Sequence, residues 1–374
     1  MRKFLTLSVV FLLACTLFAC AKAEVEPVVV RYLNDDPAAH EAWQALADSY
    51  TRSTGIVVEI ETVSENYAAV LPQRLKEENA PAAFAYRPEA ENFCASLANT
   101  ALSHRLPAGF TANRSFPYAF QKSWGVLVNR ALLQAAGFQT EDLTNYLSLK
   151  DAAQSIHKRK SSLGFDAFSP PSQEDLSAIM PLFKGYSTSL RWFWELCSLN
   201  CSANPGELST VTPEMSLDAF GKGEAVFYIQ STDVYFQLVR QYNMSPTDLT
   251  LLPLYSGSSE ITIPTCSLWH SWGIASDATD AQKQAAVDFL TWVITSQEGT
   301  AMLIRQYGGC LFPALEKGEN PLLSDAATRL IAGEMAPLWT IPNRIPRFPA
   351  LYEALTAYTA GNLSWESIDS YLND

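Results

Sequence analysis

The residues most able to do chemistry lie together in the segment "PTCSLWHSWGIAS", residues 264–276. Cys266 and His270 are four positions apart, and Trp269 and Trp272 stand beside them. A thiol and an imidazole that face each other can form a nucleophile and its base, and both side chains are ligands for zinc. The two indole rings offer flat apolar faces instead. The segment therefore raises three possibilities: catalysis, metal binding and ring stacking.

Catalysis and metal binding both need further groups, and the sequence places none near this segment. A zinc site takes three or four ligands, whereas the other histidines, His40, His104 and His157, are scattered along the chain. The sequence holds no G-x-S-x-G elbow, H-E-x-x-H pair, phosphate-binding loop or G-x-G-x-x-G turn. Asp35 and Asp36 are neighbours in an extended loop and so point apart, unlike the facing carboxylates of a glycosidase. We predict no catalytic residue, no metal and no cofactor.

The elements that position these side chains begin with a βαβ unit. The β-branched runs "VVVRYL" (28–33) and "IVVEIETV" (56–63) each read as a strand. Between them, Trp43, Leu46 and Tyr50 fall on one apolar helical face. A strand, a helix and a second strand within so few residues predict parallel pairing.

Strands and helices continue to alternate along the rest of the chain. Further strands are predicted at 82–86, 224–230 and 272–276, and helices at 66–78, 147–158, 173–183, 190–199 and 213–220. A helix with a strong apolar stripe follows the strand at 272–276. Four prolines between residues 337 and 349 indicate an extended segment. This order predicts an α/β protein with two mostly parallel sheets flanked by helices.

Polar and aromatic side chains collect where the predicted strands end. Ligands of open parallel sheets bind at the carboxyl ends of the strands. The side chains at those positions are Asn34, Asp35, Asp36, Tyr86, Glu89, Gln230, Asp233 and Tyr235, with Trp269 and Trp272 in the opening segment. Rings cover the apolar face of a sugar, and carboxylates and amides bind its hydroxyls. We therefore predict a sugar site, with Trp269 as the stacking ring and Trp272 as the more buried of the two.

The N-terminus resembles a lipoprotein leader. Arg2 and Lys3 precede an apolar run that stops at "LFAC", which ends at Cys20. We predict a signal peptide over 1–19, lipid attachment at Cys20 and a tether over 20–27, with a plain cleaved signal as the alternative. The protein would then be extracytoplasmic and touch the membrane only through its lipid. Its formal net charge of −13 argues against nucleic acid as a partner.

The five cysteines after Cys20 leave their pairing open. Cys197 and Cys201 are close enough for a local bridge, and Cys266 and Cys310 can also pair. The number five is odd, so at least one thiol stays free unless it pairs between chains.

The sequence resembles the extracellular solute-binding lipoproteins of carbohydrate ABC importers, the group that includes maltose-binding proteins. Segments in family order carry the likeness: the βαβ at 28–63, "WGVLVNRALLQAAGF", "FGKGEAVFYIQSTD" and "WGIASDATDAQKQAAVDFLTWVITSQEGTAMLIRQYGGCLFP". The resemblance implies a monomer with two α/β lobes that close on a ligand and deliver it to a permease. It adds Tyr352 to the ligand contacts. Asp233 stands where the family often has a ring, which indicates a smaller or more polar ligand.

The same resemblance sets the lobe boundaries. The first lobe would comprise 25–121 plus 268–336, and the second 122–264 plus 337–374. The chain would cross between them near 121–123, 264–267 and 337–346.

A carbohydrate receptor is the leading hypothesis for function. A second hypothesis keeps the fold but binds a polyamine, a cation or a small peptide, attracted by Asp35, Asp36 and Glu89. A third is an extracytoplasmic glycosidase, which turnover of a bound glycan would reveal.

Overall fold

A computed structural model describes residues 28–107, 110, 112–183, 187–257, 262–315, 318–339 and 347–372. The predicted signal peptide, Cys20 and the tether over 20–27 lie outside the described residues, as does the stretch 340–346 of the third predicted crossing. In the part of the chain that is described, no helix is both long and apolar enough to cross a membrane.

The described chain is a succession of strands and helices. Strands β1 to β10 span Val29–Asn34, Val57–Thr62, Ala83–Ala85, Phe116–Asn129, Asp166–Phe168, Ala225–Ser231, Leu249–Leu252, Pro264–Ile274, Gly309–Cys310 and Ala336–Pro337. Helices α1 to α14 span His40–Thr54, Tyr67–Arg74, Arg130–Ala135, Tyr146–Lys158, Lys160–Leu163, Gln173–Ile179, Ser187–Ser198, Pro213–Gly221, Tyr235–Tyr242, Asp280–Thr295, Gln297–Tyr307, Pro321–Ile331, Phe348–Thr359 and Trp365–Leu372. The prediction of an α/β fold is confirmed.

The predicted βαβ unit is present as β1, α1 and β2. The two strands run parallel, with Val29 opposite Val57. Asp36 caps a short 3-10 turn before α1 by accepting a 3.0 Å hydrogen bond from the Ala38 amide. Gly55 ends α1 with a φ of +79°, a conformation that glycine adopts without strain. Local sequence signals are therefore sufficient to define this unit.

Two predicted helices are shorter than expected, and the one predicted at 66–78 spans only Tyr67–Arg74. The segment 173–183 is α-helical only to Ile179 and continues as a 3-10 turn over Met180–Phe183. Pro181 accounts for the change, because proline has no N–H to donate to the carbonyl four residues earlier.

A single long strand, β4, joins the two sheets. Its first half pairs with β8 and β9, and its second half pairs with β6 and β7. The strand order is β2-β1-β3-β8-β4-β6-β5, so the strands form one continuous path. Pairing is parallel among β1, β2 and β3 and between β5 and β6, and antiparallel where β4 meets β6, β7, β8 and β9 and where β3 meets β8.

Three stretches of chain lie side by side where the first sheet passes into the second. Ser123 of β4 is opposite Cys266 of β8, and Cys266 is opposite Pro337 of β10. The Leu338 amide also donates to the Cys266 carbonyl over 2.6 Å. The crossings near 121–123, 264–267 and 337 are therefore tied to one another by backbone hydrogen bonds.

Two side chains of helix α12 form hydrogen bonds with strand β7 of the second sheet. Asp325 accepts a 2.5 Å bond from the Thr250 hydroxyl of β7, and Arg329 donates to the Leu251 carbonyl over 2.8 Å. The predicted first lobe extends to 336 and so includes this helix. The buried apolar residues of α12, among them Leu322 and Leu330, lie in the same core cluster as Val30 and Phe116 of the first sheet, so the helix contacts both sheets.

Candidate functional site

Strand β4 brings three groups of polar side chains into one row. The strand's Ala119 is opposite His270, Lys122 is opposite Ser267, and Gly125 is opposite Gln230. A strand rises about 3.3 Å per residue, so successive points are about 10 Å apart and the row is about 20 Å long. The row runs from the first sheet, through the crossings, to the second sheet.

The first group lies at the end of β1. The Asp35 carboxylate forms an ion pair with Arg87, and the Asp35 side chain is only 8% exposed. Asn34 is buried, and its amide donates to the Asp36 carbonyl over 2.6 Å and to the Thr62 hydroxyl over 3.2 Å. Burial raises the pKa of Asp35, and the positive charge of Arg87 opposes that rise. Arg87 thus holds the Asp35 carboxylate in place, although burial removes part of the carboxylate's hydration.

His270 lies beside this first group. Its ring centroid is 4.2 Å from that of Tyr307 and 6.1 Å from that of Tyr118. Burial, together with the charge of Arg87, lowers the pKa of His270 to about 4, and the charge of Asp36 opposes the change. The imidazole is therefore neutral at pH 7 and can donate or accept one hydrogen bond.

The second group lies at the crossings. Lys122 forms an ion pair with Asp233, and its ammonium stands 5.2 Å from the centroid of the Trp124 ring. The Ser123 amide donates to the Thr232 hydroxyl over 3.2 Å, which fixes the loop that carries Asp233. Asp233 remains 55% exposed at its side chain, so it is accessible to a ligand.

The third group lies at the end of β6. The Gln230 amide donates to one oxygen of Asp175 over 2.8 Å, and the Tyr228 hydroxyl donates to the other over 3.2 Å. Burial raises the pKa of Asp175, while bonds from Ser172, Tyr228 and Gln230 oppose that rise. Gln230 is thereby oriented by a carboxylate from the start of helix α6.

Trp269 belongs to an aromatic cluster at the crossings. Its indole N–H is 3.1 Å from both the Cys266 and the Leu338 carbonyl oxygens, so it links β8 to the segment after β10. Its ring lies 5.0 Å from Trp339 and 5.6 Å from Phe110, centroid to centroid. Trp339 is 55% exposed and Trp269 is half-buried. Trp269 and Trp339 can offer a ring face to a ligand, while the indole N–H of Trp269 is used in hydrogen bonds within the protein.

Three of the predicted ligand residues are core residues instead. Trp272 is fully buried and stacks on Tyr118 at 4.0 Å. Tyr352 is 1% exposed, and its hydroxyl is within hydrogen-bond distance of the Pro171 and Leu208 carbonyls. Tyr235 is 5% exposed. The protein itself covers these rings, so they have no face left for a ligand in this conformation.

Tyr86 and Glu89 lie at the end of β3, beside the first group. Tyr86 is half-buried, and its amide donates to the Ser271 carbonyl over 2.8 Å. Glu89 is exposed in the 3-10 turn Pro88–Phe93. Both stay candidates for ligand contact.

Sequence reasoning missed several members of the row. Arg87 follows directly after the predicted Tyr86, and Lys122 lies inside a predicted crossing, so position alone was a signal for both. Asp175 had no such signal, because it comes 55 positions before Gln230 and joins it only through the fold.

The cysteines give no support to thiol chemistry. Cys94, Cys197, Cys201, Cys266 and Cys310 are all free and buried. Burial raises the pKa of Cys266 to about 12, so its reactive thiolate is scarce at neutral pH. Its sulfur lies 3.4 Å from the Ser123 hydroxyl, at the crossings. Across the residues that the structure describes, no group of three or more His, Cys, Asp or Glu side chains could hold a metal ion.

Comparison with solved structures identifies the fold. No sequence family matches this chain, and no curated protein sequence matches it. A family 1 extracellular solute-binding protein from Alicyclobacillus acidocaldarius is similar with a TM-score of 0.60 at 12% identity, over 94% of this chain and 98% of the other. RafE from Streptococcus pneumoniae is similar with a TM-score of 0.60 at 11% identity, over 94% and 98%. The bacterial solute receptor AcbH, described as exclusive for β-D-galactopyranose, gives 0.56 at 11% identity, over 92% and 96%. The chain therefore has the fold of family 1 extracellular solute-binding proteins.

Proposed function

We propose that this protein is an extracytoplasmic receptor that binds a carbohydrate along the row of polar groups on β4. The single observation that carries the proposal is this row, because it crosses the junction between the two sheets. Lipid attachment at Cys20, a monomeric state and delivery of the sugar to an ABC permease complete the proposal. Similarity of fold to sugar receptors supports it.

The chemistry of the row suits an uncharged ligand with many hydroxyls. Asp35, Asp233 and Gln230 offer acceptors, and Arg87 and Lys122 offer donors. A sugar hydroxyl both donates and accepts, so it can bridge an acid and a base that already face each other. Trp339 and Trp269 supply ring faces beside the second group. A row of about 20 Å is long enough for an oligosaccharide.

A polyamine or another cation fits the row less well. The two acids most favourable to a cation, Asp35 and Asp233, are already paired with Arg87 and Lys122. A cationic ligand must displace or repel these two bases before it gains either carboxylate. Its binding would also weaken steeply with salt, whereas sugar binding would change little.

Binding would draw the lobes together about the crossings. The ligand shifts the population toward a closed form only by the contacts it makes there and not in the open form. The three hydrogen-bonded crossings would serve as the hinge, because β4 passes there from pairing with β8 to pairing with β6.

A thermal unfolding screen tests the proposal. The panel holds monosaccharides, oligosaccharides, spermidine and small peptides, each at low and high salt. A ligand at 100 times its dissociation constant adds about 2.7 kcal/mol to the free energy of unfolding. We expect a sugar to raise the melting temperature equally at both salt concentrations.

Two matched variants connect any such shift to the row. Asp233→Asn should weaken sugar binding, whereas Asp280→Asn, which changes a fully exposed carboxylate on α10, should not. The proposal fails if spermidine stabilises the protein and no sugar does. Release of product from a bound glycan would identify a glycosidase instead.

A further inference from the structure

A cavity lies outside the row, between helix α4 and the end of helix α7. Its volume is about 330 Å³. Helix α4 contributes Lys150, Gln154, His157 and Lys158 to the wall, and α7 with the residue pair after it contributes Glu195 and Asn200. Three of these six side chains are basic, on a chain whose formal net charge is −13. The cavity wall is therefore more basic than the protein as a whole.

The periodicity of α4 separates its apolar and basic residues. Leu149, Ala152, Ala153 and Ile156 are buried against the second lobe. Lys150, Gln154 and Lys158 follow one another at intervals of four, so they form a single stripe on another face. The stripe ends in "HKRK", residues 157–160, where the helix terminates. The basic side chains thus face the cavity as a set.

The imidazole of His157 is held in one orientation. Its Nδ1 lies 2.8 Å from a carboxylate oxygen of Asp166, whose side chain is 3% exposed. The second oxygen of Asp166 lies 3.2 Å from the Lys160 ammonium. A carboxylate on Nδ1 fixes the ring and leaves Nε2 for the cavity. The negative charge of Asp166 is balanced by Lys160 and does not oppose an anion there.

The acid in the cavity wall is also balanced. Glu195 accepts a 2.8 Å bond from the Arg191 guanidinium and a further bond from the Tyr358 hydroxyl. These partners hold its carboxylate and compensate its charge. Lys150 and Lys158 therefore give the cavity an excess of positive charge.

We infer that this cavity is a binding site for an oxyanion of the phosphate class. Two lysine ammonium groups and the Gln154 amide are donors of the kind that phosphate oxygens require, and the protonated form of His157 would add Nε2 as another. The ligand is either free phosphate or the headgroup of an anionic phospholipid. Leu147 and Leu199 are 66% and 48% exposed, one on α4 and one directly after α7, which favours the headgroup. The site is independent of the sugar-binding proposal.

Titration calorimetry on the full chain in non-ionic detergent tests the site. Sodium phosphate is titrated at constant ionic strength, with sodium chloride as the reference. The pocket variant Lys150→Gln/Lys158→Gln is compared with the control Lys222→Gln/Lys283→Gln, which removes two lysines paired only within their own helices. We expect phosphate to bind the parent and the control alike and the pocket variant at least about tenfold more weakly.

Nuclear magnetic resonance provides a second reading that does not depend on the lysine variants. The chain has four histidines, and His157→Asn assigns the imidazole signal of His157. Phosphate should move that signal and leave the signal of the exposed His104 unchanged. The inference is wrong if phosphate moves neither signal, or if both lysine variants lose binding equally.

A soluble diester separates the two sources. Glycerophosphoglycerol, the deacylated headgroup of an anionic phospholipid, is titrated beside inorganic phosphate. Tighter binding of the diester identifies a lipid headgroup, and tighter binding of inorganic phosphate identifies the free ion. If neither binds more strongly than chloride, the cavity has no phosphate site.

Discussion

Acid should destabilise this protein through His270. Burial lowers the pKa of the folded His270 to about 4, against 6.5 for the ordinary side chain. Between these two pKa values His270 binds a proton in the unfolded chain but not in the folded chain. The free energy of unfolding therefore falls as the pH falls. The contribution is fully present above pH 6.5 and is lost as the pH approaches 4. The difference in pKa corresponds to at most about 3 kcal/mol, and the partial exposure of the ring reduces this to about 2 kcal/mol.

Urea unfolding at a series of pH values between 7.5 and 4.5 measures this effect. Carboxylates also titrate in this range, so the informative quantity is the difference in slope between the parent and His270→Gln. We expect the parent to lose about 2 kcal/mol more than the variant. His104→Gln, a change at an exposed position, should keep the slope of the parent. Parallel curves for the parent and His270→Gln would show that the imidazole is not desolvated, and the geometry of the first group would then be wrong.

Three further substitutions test other parts of the site. Trp269→Phe keeps a ring but removes the N–H shared by two carbonyls, so urea unfolding should show a loss of about 1–2 kcal/mol; a loss as small as that of the exposed Trp339→Phe would contradict this role. Gly125→Ala places a methyl group 2.5 Å from the Leu252 carbonyl oxygen and should cost about 2 kcal/mol or more in thermal unfolding, whereas Gly206→Ala, with open space around it, should cost less than about 1 kcal/mol. Asp35→Asn removes a desolvated charge and leaves an Arg87 side chain that is 40% exposed and can be solvated, so stability should stay within about 1 kcal/mol of the parent while calorimetry shows weaker sugar binding; a loss above about 2 kcal/mol would mean that the ion pair is structural.

Local signals predicted the parts of the fold that are local. The βαβ unit follows from two β-branched runs, one apolar helical face and a closing glycine, all within about forty residues. The position of Asn34, Asp35 and Asp36 follows from the same reasoning, because a strand end can be read from its own sequence. No comparable signal marks β4 as a strand shared by two sheets, because its pairing partners lie far away in the chain.

The aromatic residues show where a pattern is ambiguous. Trp269 and Trp272 are three positions apart in one strand, so they point to opposite faces of the sheet. The strand is predicted only from 272 onward, so the sequence does not place the two rings on one strand and cannot show which face is covered. The structure buries Trp272 between Trp43 and Tyr118, residues from distant segments. Tyr235 and Tyr352 are the same case, since each is covered by chain that is remote in sequence.

The ion pairs of the row bear on how a ligand is selected. Asp35 is paired with Arg87, and Asp233 is paired with Lys122. A charged ligand that binds one member of a pair has to compete with the other member for it. A neutral ligand with hydroxyls can hydrogen-bond to both members of a pair and leave the pair intact. Lys122 lies on β4, and the Asp35 pair lies near His270, which is opposite Ala119 of the same strand, so the two pairs belong to points about 10 Å apart along β4.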